Sequence, residues 1–187
     1  MVLNAPIAMI FQEQDTEGMM AFGGGGTTWA WSPMSTFGAV ATLDEEKRTE
    51  VLRVWKLLQT STNIGLLNLP LRWWQSSLLR AGHEDKLIDA WIGLEGLFRN
   101  DYPERLASFL GADVAEAAAI KINAGISYGW RSKIVHAEDP AKVAKRLSLQ
   151  KAVQLTTEYL RSALLKVLDL PGPFSPDALK SDNGVIP

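Results

Sequence analysis

Arg131 and His136 are the residues of this chain whose types and spacing could do chemistry together. They stand in Tyr128-Gly129-Trp130-Arg131-Ser132-Lys133-Ile134-Val135-His136, with four residues between them. An arginine holds a phosphate through a planar fork of N–H donors. A histidine moves a proton near neutral pH. Together they fit cleavage of a phosphodiester without a metal. RNA supplies its own nucleophile, the 2′-hydroxyl. A base takes its proton, an acid protonates the leaving 5′-oxygen, and a cation stabilises the charge gathered at phosphorus. His136 suits the base or acid role and Arg131 the phosphate-holding role. One histidine does not serve both proton transfers at once, but two copies in a symmetric dimer would bring two such pairs to one cleft.

Spacing alone carries little of this. On a straight helix the two side chains project about 140° apart. An arginine paired with a carboxylate and a histidine closing a helix would leave the same trace in the sequence. Asp139-Pro140 looks like the start of a new helix, because proline suits a first helical position. His136 is therefore expected at a helix C-terminus, where the helix dipole favours the charged imidazole.

The elements that must position this pair are mostly helical. Thr42-Leu43-Asp44-Glu45 has the form of a capping box and opens a helix to about Thr60, with Val51, Val54, Trp55 and Leu58 on one face. A second helix is expected from Leu66 to Ala81, with Pro70 in its first turn, where a missing amide hydrogen matters least. A third begins at His83-Glu84-Asp85 and carries the apolar stripe Leu87, Ile88, Trp91, Leu94 and Phe98. His83 reads as an exposed helix-start residue. Glu95 lies on the stripe, and a carboxylate there is costly to bury unpaired, so a cationic partner is expected. Arg72, Arg105 and Arg131 are the candidates. Pro103-Glu104 opens a short helix that Gly111 stops. Asp113 caps the next, Val114 to about Val135, whose Gly125 and Gly129 suggest close packing or a kink. The last helix is expected to run from Asp139-Pro140 to about Leu168.

Before these helices, residues 1–37 read as strands and turns: Ile7 to Phe11, Met19 to Phe22 and Thr27 to Trp31 are short apolar runs broken by polar and glycine segments. The run Gly23 to Gly26 lacks the Gly-Lys-Ser/Thr ending of a phosphate loop and is better read as a turn. The expected architecture is mainly α, an up-and-down bundle of about five to six helices with a small N-terminal β-hairpin or meander. Residues 171–187 are expected to be a loosely ordered tail.

Composition narrows the function classes. There is no cysteine and there are only two histidines, so thiolate and histidine metal sites are not expected, nor is any cofactor. The formal net charge of −2 does not announce nucleic-acid binding, so RNA contacts would have to come from a local patch. Seven tryptophans are many for 187 residues, and some are expected to face a partner. Trp73 and Trp74 point to different sides of a helix, so one at most could stack a base while the other packs. No apolar run is long enough to span a bilayer, and a soluble cytoplasmic protein is expected.

Two blocks of the chain resemble the HEPN superfamily, and most closely its Apea-like group. One is Glu84 through Phe98, an acidic start followed by an aromatic, leucine and glutamate helix. The other is Tyr128 through His136, similar to the family's Tyr-x-x-Arg-Ser-x-x-Val-His helix end. The resemblance runs roughly from residue 50 to 168, within a helical bundle domain of residues 42–170. It implies a metal-independent endoribonuclease that works at a homodimer interface, with Arg131 and His136 catalytic. Ser132, Glu95 and Tyr128 are then supporting residues, and Lys133 and Arg72 contact RNA. Ser132 stands where many members carry Asn, Asp or His, and Ala137 where many carry glycine. With Arg131 assigned to phosphate, Arg105 or Arg72 is left to pair with Glu95. The family's settings are phage defence, toxin–antitoxin systems and RNA processing. Some members have lost catalysis and bind RNA or protein, and the chain could also be the effector part of a longer sensor or answer to a regulatory partner.

Overall fold

The computed structural model describes residues 44–179. The expected β-like arm of residues 1–37, with Thr42 of the capping box, lies outside them. The chain divides at Val51–Leu52 into two units, and the core and site belong to the second. The described residues form a mainly helical bundle: α1 Glu45–Thr60, α2 Ile64–Leu79, α3 His83–Phe98, α4 Tyr102–Leu110, α5 Val114–Val135, α6 Ala141–Ala144 and α7 Leu149–Leu168, then a short 3₁₀ turn, Pro176–Ala178.

Polar side chains cap the starts of three of these helices. Asp44 Oδ1 accepts the Lys47 amide in the first turn of α1. Asp113 Oδ1 accepts from the Glu116 amide, and the Glu116 carboxylate accepts from the Ala112 amide, so α5 starts with a reciprocal pair. Ser148 caps α7 through the Lys151 amide. The expected single helix from Asp139-Pro140 is instead one turn, α6, followed by this second start. Asp139 accepts from Ala141 as expected of a cap, yet the turn ends at Ala144 because Ser148 offers a competing cap four residues on.

Helices α2 and α3 pack antiparallel. Pro70 sits over Gly96 and the Pro70 carbonyl approaches Gly93, while Ser76 and Arg80 reach Asp89 near the other end. Pro70 is thus inside α2, which begins at Ile64, and not in the first turn. Its buried ring fills the crossing, and burial there offsets the lost helix hydrogen bond. A Cβ on Gly93 would lie 2.5 Å from Leu160 Cδ2, so α7 also closes on this point. The close-packing glycines are Gly93 and Gly111. Gly125 faces open space, and Gly129 would meet only ordinary contact with Val143.

Trp91, Phe98, Leu87, Leu94, Leu106 and Leu160 form the centre of the core, all fully buried. A hydrogen-bonded chain of polar side chains is buried with them. Trp91 Nε1 donates to Ser127 Oγ at 3.1 Å, and Ser127 shares a hydrogen bond with Thr156, which donates to the Ala152 carbonyl. This chain fixes the register of α3, α5 and α7 with its donors satisfied.

Residues 171–179, expected as a loose tail, are fastened. Buried Asn63 donates to the carbonyls of Val167 and Gly172 and accepts from the Phe174 amide at 2.7 Å. Phe174 packs against Phe98 and Phe109, Asp177 pairs with Arg105, and Pro176 and Leu179 are buried. The hydrogen-bonding anchor of this segment's backbone is Asn63, far upstream, which local composition does not reveal.

Candidate functional site

Helix α5 carries the Arg131–His136 segment. Ile120, Ala124 and Ser127 are its buried face, and Arg131 comes one turn after Ser127 on that face. Trp130 is also buried, its Nε1 donating to the Leu147 carbonyl at 2.8 Å, which ties the last turn to the segment before α7. These anchors leave Arg131 aimed at α3. One turn beyond the Trp91–Ser127 contact on both helices, Arg131 Nη2 meets Glu95 at 3.1 Å and 3.4 Å to its two carboxylate oxygens.

That pair answers the question Glu95 raised. Its cation is Arg131. Arg105 is engaged elsewhere, donating to the Phe98 carbonyl at 2.9 Å and to Asp177. Arg72 is exposed on α2, beside a shallow groove that it lines with Gln75, Ser76, Leu79 and Arg80. The expectation that Arg105 or Arg72 would pair with Glu95 is therefore corrected. The reason is register: the i+4 step from Trp91 to Glu95 matches the i+4 step from Ser127 to Arg131.

The pair is half-buried, each side chain 23% exposed. The guanidinium carbon lies 5.6 Å from the centre of the Tyr128 ring, one turn back on α5. Both Glu95 oxygens lean on the same nitrogen, and Arg131 Nε is shielded with no acceptor among the described residues. Only part of the arginine fork is used.

Tyr102 completes this cluster. It opens α4 after a connection in which Arg99 (φ 63°) and Asp101 (φ 53°) both take left-handed backbone. These two residues turn the chain back so that Tyr102 packs edge-on to Trp91 and beside Tyr128, with ring centres 6.3 and 5.9 Å apart. Burial, the Glu95 carboxylate and Tyr128 push the Tyr102 hydroxyl above its usual range, and Arg131 opposes them. The sequence gives no hint of Tyr102: it falls outside any apolar stripe and beside a proline, and only the turn places it.

His136 lies elsewhere. Helix α5 stays regular to Val135, and His136 is its C-terminal cap, its amide donating to the Ser132 carbonyl at 3.0 Å. The imidazole is exposed and has no hydrogen bond to the described residues. The next residues form a Schellman turn: Glu138 N–H donates to the Lys133 carbonyl, Ala137 N–H to that of Ile134, and Ala137 adopts φ 52°. An ion pair from Lys133 to Glu138 spans the turn and holds the Glu138 carboxyl below its usual range. Of the expected site residues, Glu95, Tyr128 and Arg131 come together. Ser132 sits half-buried beside them, Lys133 is engaged by Glu138, and Arg72 is on another helix. Within one chain, Arg131 turns inward and His136 outward.

Comparison with family models, curated proteins and solved structures returned no match. Among the described residues no helix is long and apolar enough to cross a membrane, and no three His, Cys, Asp or Glu side chains form a group that could hold a metal ion.

Proposed function

We propose that this protein is a metal-independent endoribonuclease of the HEPN type, cleaving RNA by attack of the 2′-hydroxyl on the adjacent phosphate. The observation that carries this reading is the end of α5. It presents an exposed imidazole with no hydrogen bond to the described residues, one turn and a half beyond an arginine whose fork is only partly used among them. Arg131 holds the phosphate, and His136 exchanges the proton. The two side chains diverge on one helix, so a complete centre takes two copies, each supplying one Arg131 and one His136 to a shared cleft. An up-and-down arrangement of the bundle and an N-terminal β element belong to the same reading, as do a cytoplasmic setting and a role in defence, toxin–antitoxin control or RNA processing. The test is incubation of the full chain with RNA in excess EDTA. Fragments ending in 2′,3′-cyclic phosphate are expected, and intact RNA under these conditions opposes the reading.

A second reading is favoured by the Arg131–Glu95 pair. A guanidinium held by a carboxylate at 3.1 Å serves the core without chemistry. The protein would then be a non-catalytic HEPN module that binds RNA or a partner protein, and it would bind RNA without cutting it.

A further inference from the structure

We infer that Tyr102 is a further substrate-contacting residue, its hydroxyl donating to a phosphate oxygen of the RNA strand held by Arg131. The inference rests on Arg131 as the phosphate holder and adds a donor from a different helix.

Three features place the hydroxyl for this. The Tyr102 ring is wedged between Trp91 and Tyr128, which also pack on each other with centres 5.3 Å apart. Three mutually packed rings leave the phenol little freedom, so its oxygen is pre-positioned. That oxygen lies within electrostatic reach of Glu95, Tyr128 and Arg131 together. The Arg131 guanidinium carbon lies 5.6 Å from the centre of the Tyr128 ring, against which the Tyr102 ring packs at 5.9 Å, so phenol and guanidinium adjoin one ring. Finally, it makes no hydrogen bond to the described residues and is not one of their buried unpartnered polar atoms, so it is open to an incoming acceptor.

The Glu95–Arg131 pair favours a neutral donor beside it. Glu95 already repels an incoming phosphate and offsets the charge of Arg131. A phenol, whose ordinary value of about 10 leaves it protonated at neutral pH, adds a donor without adding a negative charge. The ligand this suits is a phosphodiester oxygen. The same donor could instead turn to Glu95 and steady the ion pair, and the test separates these uses.

The probe is a short fluorescein-labelled 2′-O-methyl RNA, which has no free 2′-hydroxyl and so stays intact. Its binding to the full chain is followed by anisotropy across a range of salt concentrations. Tyr102→Phe keeps the ring and removes the donor. The expected result is about tenfold weaker binding with an unchanged salt slope, because a neutral hydrogen bond to phosphate releases no counterion. Loss of affinity with a slope lower by about 0.7 would mean that Arg131 itself had left the phosphate, and Tyr102 would be a prop for the ion pair. Equal affinity overturns the inference while leaving RNA binding intact. If the unsubstituted chain does not bind the probe, Arg131 as phosphate holder fails, and the inference fails with it. Cleavage of ordinary RNA in EDTA is scored separately, so loss of the donor and loss of the reaction are read apart.

Discussion

Ala137 stands at the left-handed position that ends α5, with φ 52°. A Cβ there costs roughly 1–2 kcal/mol, and glycine avoids it at some cost in chain entropy. Ala137→Gly is therefore expected to raise stability by about 0.5–1 kcal/mol in urea unfolding. A variant of equal or lower stability would show that the Schellman turn is not strained. For the half-buried Glu95–Arg131 pair, a double-mutant cycle to alanine is expected to give a coupling of about 1 kcal/mol. A coupling near zero would mean that the pair contributes nothing to the fold and that Arg131 is held for another use. Tyr102 and Tyr159 both have hydroxyls raised by burial. A group whose folded value is raised contributes stability that is present below its ordinary value, about 10 for tyrosine, and lost as pH rises through the folded value. Unfolding free energy should thus decline above about pH 10, and the decline should be shallower in Tyr102→Phe. An identical decline in that variant would contradict the assigned shift.

At the scale of elements, two glycines with opposite surroundings test the packing. A Cβ on Gly111 would lie 2.8 Å from the Ala107 carbonyl oxygen and 2.7 Å from Ala117 Cβ, where α4 meets α5. Gly111→Ala is expected to cost about 1–3 kcal/mol, because backbone must move. Gly125 faces open space within a helix, and Gly125→Ala should stabilise by about 0.5–1 kcal/mol. Thermal melts of the two variants should move in opposite directions, and shifts of the same sign would contradict the described surroundings. Most helices were legible in the sequence: α5 has the expected bounds and its expected cap in Asp113, and of the α3 stripe Leu87, Trp91, Leu94 and Phe98 are in the core, Ile88 only half-buried. Less legible were features that depend on distant partners. The fastening of residues 171–179 comes from Asn63, and the placing of Tyr102 comes from two left-handed residues that no periodicity marks. The Glu95 partner was among three arginines, and only the register of α3 against α5 selects Arg131.

For the molecule as a whole, the inward turn of Arg131 and the outward turn of His136 mean that the proposed reaction centre would need a second copy. Specific activity should fall on dilution, as the chain passes from dimer to monomer, and activity proportional to concentration at every dilution would contradict a shared centre. The most direct measurement is single-turnover cleavage of RNA in EDTA by the unsubstituted chain and by His136→Ala. The exposed cap makes few contacts, so the variant should keep its thermal midpoint while the rate falls by about 10²- to 10⁴-fold, the usual contribution of a proton-transfer group. An equal rate in the two proteins, with the fold intact in both, would contradict His136 as the proton-transferring group and with it the proposed reaction centre.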